Sequence, residues 1–265
     1  MDTTRYIDIH AHPTVGFYGE DRAAVVSRAH EQKVTVVGVG TTLEDSRQMV
    51  GLAEQHDHVF AIVGQHPTNG DPYDVAGFAA LATHPRVIGF GETGFDFFRD
   101  GQVGRNRQYG MFIEHTRLAL EHTKPLMLHI RPGPDSYDAY EAAYDVLAAH
   151  VGEYQGEHIA NVHFFAGTTQ IAQKFLDLGC TISFTGVITF AEMYTDLVRY
   201  VPADRILSET DSPYVTPVPY RGKTNEPAYV IEVVRHMARL RGVSEEVMAD
   251  QIWKNAEWLF GCKFA

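Results

Sequence analysis

The stretch Arg5-Tyr6-Ile7-Asp8-Ile9-His10-Ala11-His12 decides how the chain folds. In a β-strand successive side chains point to opposite faces. Asp8, His10 and His12 therefore share one face, while Ile7, Ile9 and Ala11 share the other. Ionisable groups on one side and aliphatic ones on the other suit a barrel strand, whose outward face packs against helices and whose inward face leads to a site at the C-terminal end.

Outward from residues 5–12, further apolar runs bounded by turn residues read as strands at 33–40, 59–66, 87–92, 125–131, 159–165, 181–186 and 205–211. Helical spacing fills the intervals at 22–32, 43–55, 75–81, 106–122, 137–150, 170–178 and 190–200, and continues at 228–240 and 245–260. Regular alternation of strand and helix predicts a parallel sheet. Eight such repeats in 265 residues predict an α/β fold of the (β/α)8 TIM-barrel type, as one domain spanning residues 1–265. No Gly-x-Gly-x-x-Gly follows the first strand, which argues against an open dinucleotide-binding sheet.

Composition narrows the function. The apolar fraction of 45% is that of a globular protein, and no run reaches the roughly 18 apolar residues of a membrane helix, so a cytoplasmic protein without membrane contact is expected. Two cysteines, Cys180 and Cys262, are too few for a disulfide framework or a cysteine-built metal site. The net charge of −12 gives no long-range attraction for nucleic acid. A phosphate substrate would need a local positive site made by metal ions or a few placed basic residues. No obligate protein partner is evident.

The predicted strands end on polar residues: His10 and His12 on the first, Glu92 in GFGETGFD, His129 in PLMLHIR, His163 in ANVHFF and Asp211 in ILSETDSP. Singly, each has an ordinary reading as a hydrogen-bonded core histidine, a paired carboxylate or a turn cap. Jointly they place four of the 14 histidines and two acids at the mouth of one barrel. Ionisable groups facing a packed interior need pairing, and divalent cations supply it. Six ligands exceed what one tetrahedral ion with an open position requires, so two divalent ions sharing a carboxylate are expected, with zinc, manganese or magnesium compatible with the donors. The nine histidines in helices and loops (His30, His56, His58, His84, His115, His122, His150, His158 and His236) read as structural.

These residues resemble the TatD-type metal-dependent hydrolases, a deoxyribonuclease family of the amidohydrolase-like barrel class. The resemblance rests on DIHAHP (8–13), GQHP (64–67), GETGFD (91–96), KPLMLHIR (124–131), VHFFAGT (162–168), SFTGVITF (183–190) and ETDSPYVTPVPYRGKTNEP (209–227). It implies that His10, His12, Glu92 and Asp211 hold one metal, and that Glu92, His129 and His163 hold the second. The chain departs from the family pattern in the HIRPGP run at 129–134 and in HFFAG at 163–167, which alter the lip of the site.

The expected chemistry is attack of a metal-bridging hydroxide on the phosphorus of DNA or another phosphodiester, with Asp211 taking the proton and Glu92 bridging. Arg131 lies two residues beyond His129 on the same face, where a guanidinium grips phosphate in a bidentate manner, unless it pairs instead with Glu209. His66 in GQHP is a second candidate phosphate donor, or a brace for the Pro67 turn. Glu209 is read as orienting the ligands. The rival enzyme is an amidohydrolase or lactonase acting on a small acyl substrate with the same nucleophile. The rival outside catalysis is a metal-binding scaffold.

Overall fold

Backbone hydrogen bonding turns the alternating runs into one closed set of parallel neighbours. The computed structural model describes residues 4–99, 103–154 and 159–264, so His158 lies outside the described residues. Its elements are β1 (Tyr6–Ala11), α1 (Val15–Tyr18), α2 (Arg22–Glu31), β2 (Val34–Val39), α3 (Leu43–Gln55), β3 (Val59–Val63), α4 (Val75–Ala82), β4 (Val87–Asp96) and α5 (Arg105–His122). They continue with β5 (Leu126–Arg131), α6 (Asp138–His150), β6 (Ala160–Val162), α7 (Thr169–Asp177), β7 (Thr181–Phe184), α8 (Thr195–Tyr200), β8 (Ile206–Ser208), α9 (Val230–Arg241) and α10 (Glu245–Phe260).

The eight strands pair in sequence order, β1 to β8, each parallel to the next. Closure comes from the ends of β1 and β8. Ala11 bridges Ser212, the Asp211 N–H donates to the His10 carbonyl at 2.9 Å, and the His12 N–H donates to the Ser212 carbonyl at 2.8 Å. The barrel predicted from the alternation is thus present, with Ile7, Ile9 and Ala11 buried in the apolar core. No helix among the described residues is long and apolar enough to cross a membrane.

Several boundaries differ from the pattern reading, and each difference has a local cause. β4 runs four residues past Glu92, to Asp96, because Thr93 to Asp96 stay in register with Leu128 to Arg131. β6 and β8 are shorter than predicted, ending at Val162 and Ser208, and beyond them Phe164 and Asp211 adopt left-handed φ values of 44° and 52°. The helix expected at 190–200 is confined to α8, preceded by two 3-10 turns, Gly186–Thr189 and Glu192–Tyr194, because Ala191 between them is extended.

β3, β4 and β5 approach unusually closely just before Glu92. A Cβ on Gly64 would stand 2.4 Å from the Gly91 carbonyl oxygen, and one on Gly91, whose φ is 151°, would stand 2.6 Å from that of Met127. Only glycine fits where backbone meets backbone. Gly64→Ala must therefore push β3 from β4, costing about 1–3 kcal/mol by analogy with overpacked cores. Thermal unfolding should occur roughly 2–12 °C lower. An unchanged midpoint would show that the strands separate freely at this point.

Candidate metal centre

All six residues read as ligands meet at the C-terminal mouth of the barrel. His10 and His12 project inward from the end of β1 with their Nε2 atoms 3.1 Å apart. The Nδ1–H of His12 donates to the Val39 carbonyl at 2.9 Å, which fixes its tautomer and turns the Nε2 lone pair towards the centre. Asp211, on the turn after β8, brings Oδ1 to 3.4 Å from His12 Nε2 and 3.8 Å from His10 Nε2.

Glu92 lies between two sets of imidazoles, one on each carboxylate oxygen. Oε2 is 3.6 Å from His10 Nε2 and 3.5 Å from His12 Nε2. Oε1 is 2.6 Å from His129 Nδ1, 2.9 Å from His163 Nε2 and 3.8 Å from His66 Nε2. Burial by itself would raise the Glu92 pKa, but His163 and His66, with hydrogen bonds from His10 and His129, hold it well below the usual carboxylate range. Burial would likewise lower His12, yet Asp211 and Glu92 push it up to about 9.

The donor set suits divalent cations. Donor atoms of His10, His12 and Glu92 and of His10, His163 and Asp211 converge within 4.8 Å of one another, and the His66 ring lies as close to Glu92 and His129. Imidazole nitrogen with carboxylate oxygen matches ions of the zinc and manganese type. The upward shifts of His12, His129 and His163 show carboxylates calling for positive charge at this spot.

The supporting groups include one that the pattern reading missed. Asp96, buried at the end of β4, brings Oδ2 to 3.2 Å from His129 Nε2, so the ring offers Nδ1 to the centre. Its own backbone is held at both polar atoms by the Gln108 amide, and its Oδ1 accepts the Arg99 N–H at 2.9 Å. The signal was available: Glu92, Gly94 and Asp96 share one parity once the strand is allowed to continue. Glu209 is placed as expected, its Oε1 accepting the Phe164 N–H and lying 3.6 Å from His163 Nδ1, while Oε2 accepts the Ser183 hydroxyl.

The two residues read as substrate contacts are placed differently. His66 joins the centre, with Nε2 3.3 Å from His129 Nδ1. Its Nδ1 accepts the Thr68 N–H at 3.1 Å, so the neutral ring carries its proton on Nε2. Burial and the neighbouring His129 hold its pKa down to about 3. His66 therefore presents a donor to the centre and also braces the turn at Pro67. Arg131 does not pair with Glu209, which is taken up by Phe164 and Ser183. Its guanidinium lies over the exposed Phe98 ring, 4.3 Å from the centroid, at the outer end of β5. His115 is a core histidine, accepting the Gln65 N–H and donating to the Met111 carbonyl.

A family model described as TatD related DNase matches residues 7–261. The chain is 40% identical over 227 residues to the metal-dependent hydrolase YcfH of Escherichia coli K12, covering 84% of this chain and 82% of that one. It is 32% identical over 266 residues to the 3'-5' ssDNA/RNA exonuclease TatD of Pantoea ananatis, covering 96% and 98%. Among solved structures it resembles YjjV, a TatD homologue of Escherichia coli K12, with a TM-score of 0.85 and 26% identity over 97% of this chain and 98% of that one. Barrel, inward-facing histidines and sequence likeness over nearly the whole length agree: the chain belongs to the TatD-related DNase family of metal-dependent hydrolases.

Proposed function

We propose that the chain hydrolyses phosphodiester bonds of DNA, as a single domain, with two divalent ions of the zinc, manganese or magnesium class. The observation that carries this reading is the divided Glu92 carboxylate, whose oxygens face separate imidazole sets 2.6–3.6 Å away. His10, His12 and Asp211 with Glu92 Oε2 would hold one ion, and His129 and His163 with Oε1 the other. Ions bound there lower the pKa of coordinated water towards neutrality and neutralise charge on non-bridging phosphate oxygens. The exonuclease named among the relatives supports a nucleic-acid substrate.

The chain's own residues then have distinct tasks. Asp211 is the carboxylate of the centre that reaches furthest towards the mouth, with its side chain 13% exposed against 5% for Glu92. It accepts the proton of the attacking water. Burial would raise its pKa, but the contact with His12 and the charges of His163 and His10 together outweigh burial and keep it ionised for that task. His66 donates its Nε2–H to a phosphate oxygen, and Arg131 contributes a planar cation at the lip.

Protein purified without chelator should contain close to two equivalents of divalent metal. Chelation should lower its melting temperature, since an ion at 100 times its dissociation constant stabilises by about 2.7 kcal/mol, or roughly 5–11 °C here. A ceiling of one equivalent under excess zinc or manganese would overturn the paired arrangement.

Asp211→Asn keeps the side-chain shape but removes the charge and the basicity. Turnover of bis-p-nitrophenyl phosphate and of a labelled oligonucleotide should fall by at least about 10²–10⁴-fold in the folded variant. Near-normal rates would remove Asp211 from proton transfer.

Arg131→Lys should leave metal content unchanged and slow phosphodiester cleavage by about tenfold, the worth of one charge-assisted hydrogen bond. Preserved phosphodiesterase activity with impaired hydrolysis of a lactone or amide would favour the acyl-transfer reading. Loss of metal would make Arg131 a brace for the ligands.

A further inference from the structure

On the β1 and β8 side of the mouth, two aromatic rings stand out into solvent. Phe17 on α1 is 48% exposed and Tyr214, in the loop after β8, is 51% exposed. They meet edge to face, with centroids 5.4 Å apart at an angle of 79°. Tyr214 ends the turn that begins at Asp211, donating its N–H to the Asp211 carbonyl at 2.9 Å. That hydrogen bond ties it to the residue after β8 that faces the centre.

One exposed ring needs no explanation, but two rings fixed together beside the reacting carboxylate do. They are fixed by Asn225 of the GKTNEP segment, which is fully buried and holds no place among the ligands. Its Nδ2 donates to the carbonyls of Thr210 and Tyr214, and its backbone carbonyl accepts the hydroxyl of Tyr18, the neighbour of Phe17. The next residue, Glu226, takes both hydrogen bonds of the Arg28 fork from α2. One amide thus sets α1 and the β8 loop in a constant relation, although each ring has half its surface in water.

An edge-to-face pair leaves open ring faces, and every nucleobase offers a face to stack on them. Charge distribution orients the strand. Arg131 over Phe98 and Arg99, 3.9 Å from Asp96, put cations on the β4 and β5 side of the centre. A phosphate at the centre that reaches towards these cations leaves the neighbouring base to the β1 and β8 side.

We propose that Phe17 and Tyr214 form a stacking platform for the unpaired nucleobase next to the scissile phosphate of a single-stranded nucleic acid. The inference rests on the phosphodiesterase reading and adds the group that recognises the base. A base inside a duplex has both faces covered by its neighbours and cannot use the platform without being freed.

The test uses the metal-loaded enzyme and oligodeoxynucleotides that differ only by one abasic residue, placed on one side or the other of a labelled scissile phosphate. For the wild type, removing the base on one side should lower kcat/KM about tenfold or more, chiefly through KM. In the doubly substituted Phe17→Ala, Tyr214→Ala protein with unchanged metal content, the intact oligonucleotide should be cut at the slow abasic rate. The penalty for removing the base should then shrink to less than about twofold. Exchanging the rings, Phe17→Tyr with Tyr214→Phe, should restore it. No abasic penalty in the wild type, or an undiminished one in the double alanine variant, overturns the platform while leaving the phosphodiesterase reading intact. Failure of the wild type to cut any phosphodiester overturns both.

Discussion

The arrangement of the barrel mouth depends on one buried carboxylate, Glu92. A carboxylate at this depth is tolerated only with compensating charge around it. Here five imidazoles lie within 3.8 Å of its oxygens. To bring them there, β1 must end on two histidines of one parity, β5 and β6 must each end on one, and β3 must turn at His66. Gly64 and Gly91 serve the same end, because without a Cβ they let β3, β4 and β5 close up just below Glu92. The polar residues under the centre follow the same logic. Glu209, Ser183, Asn161 and Thr181 satisfy one another in a chain of hydrogen bonds, so that none competes for the ligands above.

Much of this is visible in the sequence, for reasons of parity and position. His10 and His12 could be placed on a common inward face from period-two alternation alone, and the ends of apolar runs marked His129, His163 and Asp211. What the alternation did not give is where strands stop. The predicted fourth strand stops at Glu92, yet in the structure Thr93-Gly94-Phe95-Asp96 stays paired with β5 through Arg131, and Asp96 arrives beside His129. Conversely, the runs holding His163 and Asp211 look like continuing strands, but pairing stops at Val162 and Ser208, and the backbone beyond is left-handed at Phe164 and Asp211. Those conformations arise from contacts between distant segments, such as the Asp211 N–H on the His10 carbonyl, and leave no local signature.

The acidic composition and the proposed phosphodiester substrate are reconciled by a separation of scales. A net charge of −12 describes the whole surface and opposes a polyanion at long range. Within a Debye length of about 8–10 Å, only the local groups count. There the cations Arg99 and Arg131 stand at the rim, while the carboxylates among the imidazoles call for cations at the centre itself. Such a protein gains little from non-specific attraction to nucleic acid, so what it binds must be selected by contacts at the mouth.

His12 and His66 show why a motif of histidines does not by itself assign roles. Both rings face Glu92, at 3.5 Å and 3.8 Å. In His12 the acceptor is the Val39 carbonyl, so Nδ1 keeps the proton and Nε2 offers a lone pair. In His66 the partner is the Thr68 N–H, so Nδ1 supplies the lone pair and Nε2 keeps the proton. The first ring thus presents a lone pair to the centre and the second an N–H. One backbone group, a carbonyl in one case and an amide in the other, decides between ligand and donor. That choice is made by where β2 ends and how the chain turns after Pro67, two features of the fold around the site rather than of the histidines themselves.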